Sequence, residues 1–242
     1  MAFHNGSRAL DLFVEQYYLV LIRMGDRVSF KGYTIVSCGI LHRELNYLRN
    51  IGFLDADKIL YTAPGLHANR DELESQLTKQ LENAKKYSQN IIVVYGKNCH
   101  PDIDKITQGN EISRLEAEDC IDILADLEKR KEMSGGKIGS IFWLSPGWLD
   151  YAGKNRYVWE RIYKDYLKWD YADANVNFGT YRKAIFLDPK PLNAYDEYTP
   201  KNILDFSSWT RLVVIRQEVT LDRLKGLLST CVLKSRVKAK DR

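Results

Sequence analysis

Four cysteines and four histidines are spread through 242 residues, and three of the cysteines fall where a strand-like run hands over to a helix-like one. Cys38 closes the β-branched run YTIVS, Cys99 stands four residues past the apolar run IIVVY, and Cys120 opens the segment after a fourth short element. His67 follows the second run of this kind, KILYT. Thiolates and imidazoles are soft or borderline ligands. Cys38, His67, Cys99 and Cys120 drawn to one sheet edge would form a closed tetrahedral zinc site. The three cysteines without the histidine would suit an iron–sulfur cluster with one open iron. His100, beside Cys99, competes as the nitrogen ligand. Gly39 and Gly96, directly after their strands, are the candidate cofactor-binding positions. The competing expectation is plain packing: cysteine is among the most buried residue types, and no CxxC spacing is present. Cys231, in an amphipathic C-terminal stretch, reads as a packing residue.

Other chemistry is excluded by its motifs. The sequence has no GxxxxGK[ST] phosphate loop, no GxGxxG after the first strand, no GxSxG elbow and no HExxH. Asp102 and Asp104 read as caps of a short helix before they read as acids or bases. His42 and Glu44 lie in the first turn of a helix, from which His42 could reach the sheet edge.

The elements that would position these residues alternate. Strands are expected over residues 33–37, 58–62, 91–95, 141–145, 184–187 and 212–215, with a weaker one near 113–115. Helices follow most of them: Leu41, Leu45 and Leu48 recur at helical spacing before Gly52, and Leu73, Leu77, Leu81 and Ala84 share a face behind a cap at Asn69 or Asp71. A short helix is expected near 101–107, one from Cys120 through Lys131, an aromatic-rich one over 156–171 and one from Leu221 to Leu228. Strands separated by helices predict an α/β fold, a Rossmann-like three-layer sandwich with a mainly parallel sheet and helices on both faces. Ligands in such sheets sit at the carboxyl edge, where strand order reverses, so a small molecule or cofactor at that edge is the expected partner.

Composition sets outer bounds. An apolar fraction of 45% with 28% charged residues excludes collagen-like and disordered chains. Residues 9–24 are the closest approach to a membrane span, but Asp11, Glu15, Gln16 and Arg23 interrupt them. No secretory leader is recognised, and the expected compartment is the cytoplasm. The net charge of +4 is concentrated at the end: residues 225–242 hold six basic residues against Asp241, so the remainder is near neutral. That pattern disfavours nucleic acid as a partner. The expected organisation is a helical extension over 1–30, one α/β domain over 31–230 and a basic tail over 231–242.

Six segments occur in a fixed order: TIVSCGILHREL, APGLHANRDELESQL, IIVVYGKNCHPDID, RLEAEDC, IFWLSPGW and FGTYRKAIFLD. Together they resemble the prokaryotic family catalogued as domain of unknown function sixteen thirty-eight, over about residues 33–228. Carried over residue by residue, the family positions fall on Cys38 and Gly39, Leu66 and His67, Tyr95, Gly96 and Cys99, Cys120, Gly179 and Tyr181. Two departures stand out: LHAN replaces LHN, displacing Asn69 by one position, and YGKNCH inserts a residue before the cysteine and replaces the next glycine by His100. The resemblance implies a loose association with anaerobic one-carbon and corrinoid-dependent methyl transfer. The functional expectation is a zinc or iron–sulfur protein with a Cys3His-type site of Cys38, His67, Cys99 and Cys120. The alternative is a non-catalytic cofactor-handling or protein-interaction module with buried structural cysteines, its partner surface formed by the aromatic stretch from Trp143 to Tyr171 and the basic tail.

Overall fold

The structure is a computed structural model that describes residues 28–153, 176, 178–198 and 201–240. The expected N-terminal helix and the aromatic-rich helix over 156–171 lie almost wholly or wholly outside these residues.

Among the described residues seven parallel strands form two sheets where the sequence suggests one. The first sheet has the order β2-β1-β3-β4, from β1 (Tyr33–Cys38), β2 (Lys58–Thr62), β3 (Asn90–Val94) and β4 (Ile112–Arg114). The second has the order β5-β6-β7, from β5 (Ile141–Leu144), β6 (Lys183–Pro189) and β7 (Val214–Val219). Every pair is parallel, so each sheet gathers its strand ends along one edge. The central strands β1, β3 and β6 are nearly all buried, as strands covered on both faces must be.

The two-residue period of the strands builds two cores. Val36, Ile91 and Val93 join Leu144, Ala184 and Phe186 in one; Ile35, Ile92 and Val94 join Ile141, Ile185 and Leu187 in the other. Each core therefore draws on both sheets. α1 (His42–Asn50) contributes Leu45 and Leu48 to one core, and α2 (Arg70–Ala84) contributes Leu73, Leu77 and Leu81 to the other. At roughly 1.5–3 kcal/mol per fully buried aliphatic side chain, these stripes are what hold the helices on the sheets. α3 (Ile103–Ile106) is a single turn, and α4 (Leu127–Ser134), α5 (Pro146–Gly153), α6 (Ala194–Tyr198), α7 (Lys201–Thr210) and α8 (Asp222–Lys240) complete the helices used below.

Local chemistry explains most boundaries. Asn69 caps α2, its side chain accepting the Glu72 N–H at 3.2 Å. Gly52, at φ +70°, ends the turn that closes α1. The helix expected from Cys120 begins only at Leu127, because Asp126 accepts the Lys129 N–H at 2.8 Å and starts it there. The last strand is displaced from 212–215 to Val214–Val219, where Arg216 and Glu218 occupy an edge strand that hydrophobic patterning alone passes over. α8 continues through residues expected as a tail, with Cys231 and Val232 buried. Among the described residues no helix is long and apolar enough to cross a membrane.

Candidate functional site

Strand order in the first sheet reverses between β1 and β3. The chain passes from β1 to β2 on one side, then crosses to β3 on the other. In open α/β sheets such a reversal is the point where ligands bind, outside the carboxyl ends of the strands. Cys38 is the last residue of β1, and Tyr95 follows β3 directly. The two side chains approach across the reversal: Tyr95 Oη and the backbone of Ile40 and Gly65 stand close enough to Cys38 Sγ to influence its ionisation. Tyr95 Oη also shares a hydrogen bond with Thr62 Oγ1 at the end of β2. Cys38, Thr62 and Tyr95 are all buried. Three adjacent strands thus end in a linked thiol, hydroxyl and phenol.

Around this floor stand Cys99, in the tight turn Lys97–Cys99, Cys120 beyond β4, and His67 in the turn after β2. Cys99 and Cys120 are half-buried, and His67 is exposed at the rim, its ring edge-on to Trp148 with centroids 5.7 Å apart. The three thiols lie within electrostatic reach of one another. Burial pushes the Cys99 thiol up to about 12, and it also raises Cys38 and carries Cys120 well above the ordinary thiol range. Their mutual repulsion as thiolates adds to this at Cys99 and Cys120. Crowding lowers His67, only partly opposed by the Asp119 carboxylate. At neutral pH the edge therefore presents protonated thiols, a neutral imidazole and a neutral phenol.

The expected metal centre is not formed. Among the described residues no group of three or more His, Cys, Asp or Glu side chains converges closely enough to hold a metal ion. Cys38, Cys99 and Cys120 feel one another's fields without clustering, and each of them, like His67, follows its own packing. Cys38 faces Tyr95, Cys99 is held by its turn with its N–H on the Gly96 carbonyl at 3.2 Å, and His67 turns to Trp148. The zinc and iron–sulfur expectations both fall with this geometry, and so does the metal-dependent methyl-transfer role built on them. His100 is no substitute, since its Nδ1 accepts the Asp102 N–H at 3.1 Å inside a local turn and the residue is buried. Asp102 occupies the N-cap of α3 without a side-chain capping bond, and Asp104 pairs with Arg114.

Gly39 and Gly96 have a packing reason. A Cβ on Gly39 would sit 2.7 Å from the Thr62 carbonyl oxygen, and one on Gly96 would sit 2.3 Å from the Asp119 nitrogen. The missing side chains let the loops after β1 and β3 close against those after β2 and β4. The tightest approach joins the two sheets: a Cβ on Gly147, in the first turn of α5, would stand 1.8 Å from the Ile40 carbonyl oxygen. Hence the exits of β1 and β5 are pressed together.

Ion pairs lock that junction. Arg43 Nε donates to Asp150 Oδ2 at 2.5 Å and its Nη2 to Oδ1 at 3.2 Å, a two-point contact from α1 to α5. His42 Nε2 lies 3.0 Å from the same carboxylate and Nδ1 lies 2.9 Å from the Gly39 carbonyl oxygen. Both acceptors lack protons, so only the imidazolium can donate to both, and hydrogen bonding to Asp150 accordingly raises the His42 pKa. Beside them Glu44 is fully buried and neither carboxyl oxygen has a hydrogen-bond partner. Burial drives its pKa up to about 7. Thr62 and Asp150 carry no functional signal in the sequence, and neither the burial of Glu44 nor the contact of Trp148 with His67 is legible there; only the meeting of separate loops gives them a role.

The chain belongs to the family described as Protein of unknown function (DUF1638), whose model matches residues 61–228. His67, Gly96, Cys99 and Cys120 lie inside the match, whereas Cys38 and Gly39 precede it. No curated protein and no solved structure matches the chain.

Proposed function

We propose that this protein binds a small, uncharged, hydrogen-bonding molecule at the carboxyl edge of its four-stranded sheet, with Rossmann-like placement of the ligand at the strand-order reversal. The observation that carries this reading is the Cys38–Tyr95–Thr62 linkage standing at that reversal. In an α/β sheet this is where strand ends diverge and a ligand fits. The character of the ligand follows from the charge of the edge. The thiols, imidazole and phenol are themselves neutral and give an ionised group no opposite charge of their own, with the Asp119 carboxylate the nearest acid, and an unpaired charge moved out of water costs several kcal/mol. A neutral molecule instead meets polarisable sulfur and hydroxyl groups that both donate and accept. Gly39 and Gly96 belong to this proposal as the residues that let the floor close, with Cys99, Cys120 and His67 at the rim. Protonated thiols are weak nucleophiles, so the role assigned is binding.

The test is ligand-observed NMR with a panel of nucleosides, sugars and small amides. The expected result is a binder that is lost in Tyr95→Phe and weakened in Cys99→Ala, while both variants keep the wild-type circular dichroism spectrum. A panel without a binder, or a binder indifferent to both substitutions, would overturn the reading.

A further inference from the structure

The second sheet carries a different kind of opening. Past the carboxyl ends of β6 and β7, between the starts of α4 and α8, lies a cleft of about 320 Å³. Three cationic side chains from three different segments line it: Lys129 of α4, Lys190 after β6 and Arg223 of α8. Two acids, Asp126 and Glu218, share the wall.

The acids are already engaged. Asp126 caps α4 through the Lys129 N–H and stands 3.9 Å from Arg223. Glu218 lies 3.6 Å from Arg216 and 3.9 Å from Lys190. Arg223 is anchored from behind, its Nη2 on Asp122 Oδ2 at 3.0 Å, which fixes the guanidinium at the wall. Lys129 forms no ion pair among the described residues, and both lysines are exposed. Three cations against two acids leave the cleft wall net positive, and Lys129 is without an acid partner among the described residues.

We propose that this cleft is a second binding site, for the carboxylate or phosphate group of a small anionic ligand, held by Lys129 and Lys190 against the fixed Arg223. An oxyanion suits it because planar or tetrahedral oxygens can accept from several converging N–H donors at once. The site is separate from the four-stranded sheet's edge and does not rest on the proposal made for it.

Isothermal titration at constant ionic strength tests this with two probes, inorganic phosphate and succinate. Binding of phosphate alone assigns the site to phosphate groups, binding of succinate alone to carboxylates, and binding of both to oxyanions generally. In each case Lys129→Ala/Lys190→Ala weakens the binding at least about tenfold, as the loss of two charge-assisted contacts implies. Lys85→Ala, which removes an exposed lysine paired with Glu82 on α2, leaves it unchanged. The melting temperature without ligand shows that the double variant is folded. No saturable binding of either probe, or equal weakening in the Lys85 variant, would overturn the proposal.

Discussion

The two sheets close their carboxyl edges by different means. In the four-stranded sheet, strand order reverses between β1 and β3, and the edge is finished with neutral groups: Cys38, Thr62 and Tyr95 inside, Cys99, Cys120 and His67 outside. In the three-stranded sheet the strands follow in sequence order, without a reversal, and the edge is finished with charge. There Asp188, fully buried at the end of β6, accepts the Ala194 N–H at 2.9 Å and Arg216 Nε at 2.8 Å, and Arg216 reaches on to Asn193. A reversal is the point where ligands bind in open α/β sheets, and a neutral set of strand-end groups is compatible with it. Without one, loops and helix ends must be tied down by ion pairs, and the opening that remains is charged.

The seam between the edges gives the largest expected effect. Gly147→Ala drives a methyl group into the Ile40 carbonyl, and the backbone has to separate there; a loss of more than about 3 kcal/mol is expected in urea unfolding. Gly139→Ala, with nothing within 4 Å of the added carbon, should change stability by less than about 0.5 kcal/mol. Equal effects would mean that the edges are not pressed together in solution.

Next comes the charged edge. Arg216→Ala leaves the Asp188 carboxylate buried without its cation and should cost about 3 kcal/mol. The neutral edge should respond less: Tyr95→Phe removes hydrogen bonds between uncharged groups, worth about 1 kcal/mol each. Should the two variants prove equally stable by urea titration, the charged-against-neutral distinction fails.

The junction should also be sensitive to pH. Glu44 titrates near 7 in the folded protein against an ordinary value of 4.5, so the native state holds a proton that the unfolded chain releases. Its contribution is complete below about pH 4.5 and is lost as the pH rises through 7, by on the order of 2–3 kcal/mol. His42, raised by Asp150, acts in the same direction: its contribution is present below pH 6.5 and is lost above its folded pKa. Stability should therefore fall from pH 5 to pH 8, and Glu44→Gln should flatten most of that fall. Parallel profiles for the variant and the wild type would show that Glu44 is not the group titrating.

The smallest effect expected concerns the thiols. With its pKa near 12, Cys99 should react with iodoacetamide at pH 8 at least about a hundredfold more slowly than after unfolding in urea. Labelling at the unfolded rate would mean that the rim is not the low-dielectric environment described.

Local pattern determined much of this protein. The β-branched runs at Tyr33, Lys58 and Asn90, the leucine spacing of α1 and α2, the Asn69 cap and the Gly52 stop are readable because each depends on neighbours within a few residues. The same patterning placed Cys38, His67, Cys99 and Cys120 at strand exits, and the structure keeps them at one edge. Tertiary structure decided the rest. Ligand distances depend on how separate loops close, and here Gly39, Gly96 and Gly147 close backbone on backbone, so the thiols meet a phenol and one another's fields without converging on a metal. The division into two sheets depends on which strands pair, and the burial of Glu44 on two strand exits meeting. Sequence spacing carries no such information, because those contacts join residues from separate loops, from Gly39 and Thr62 to Arg43 and Asp150 at 107 positions apart.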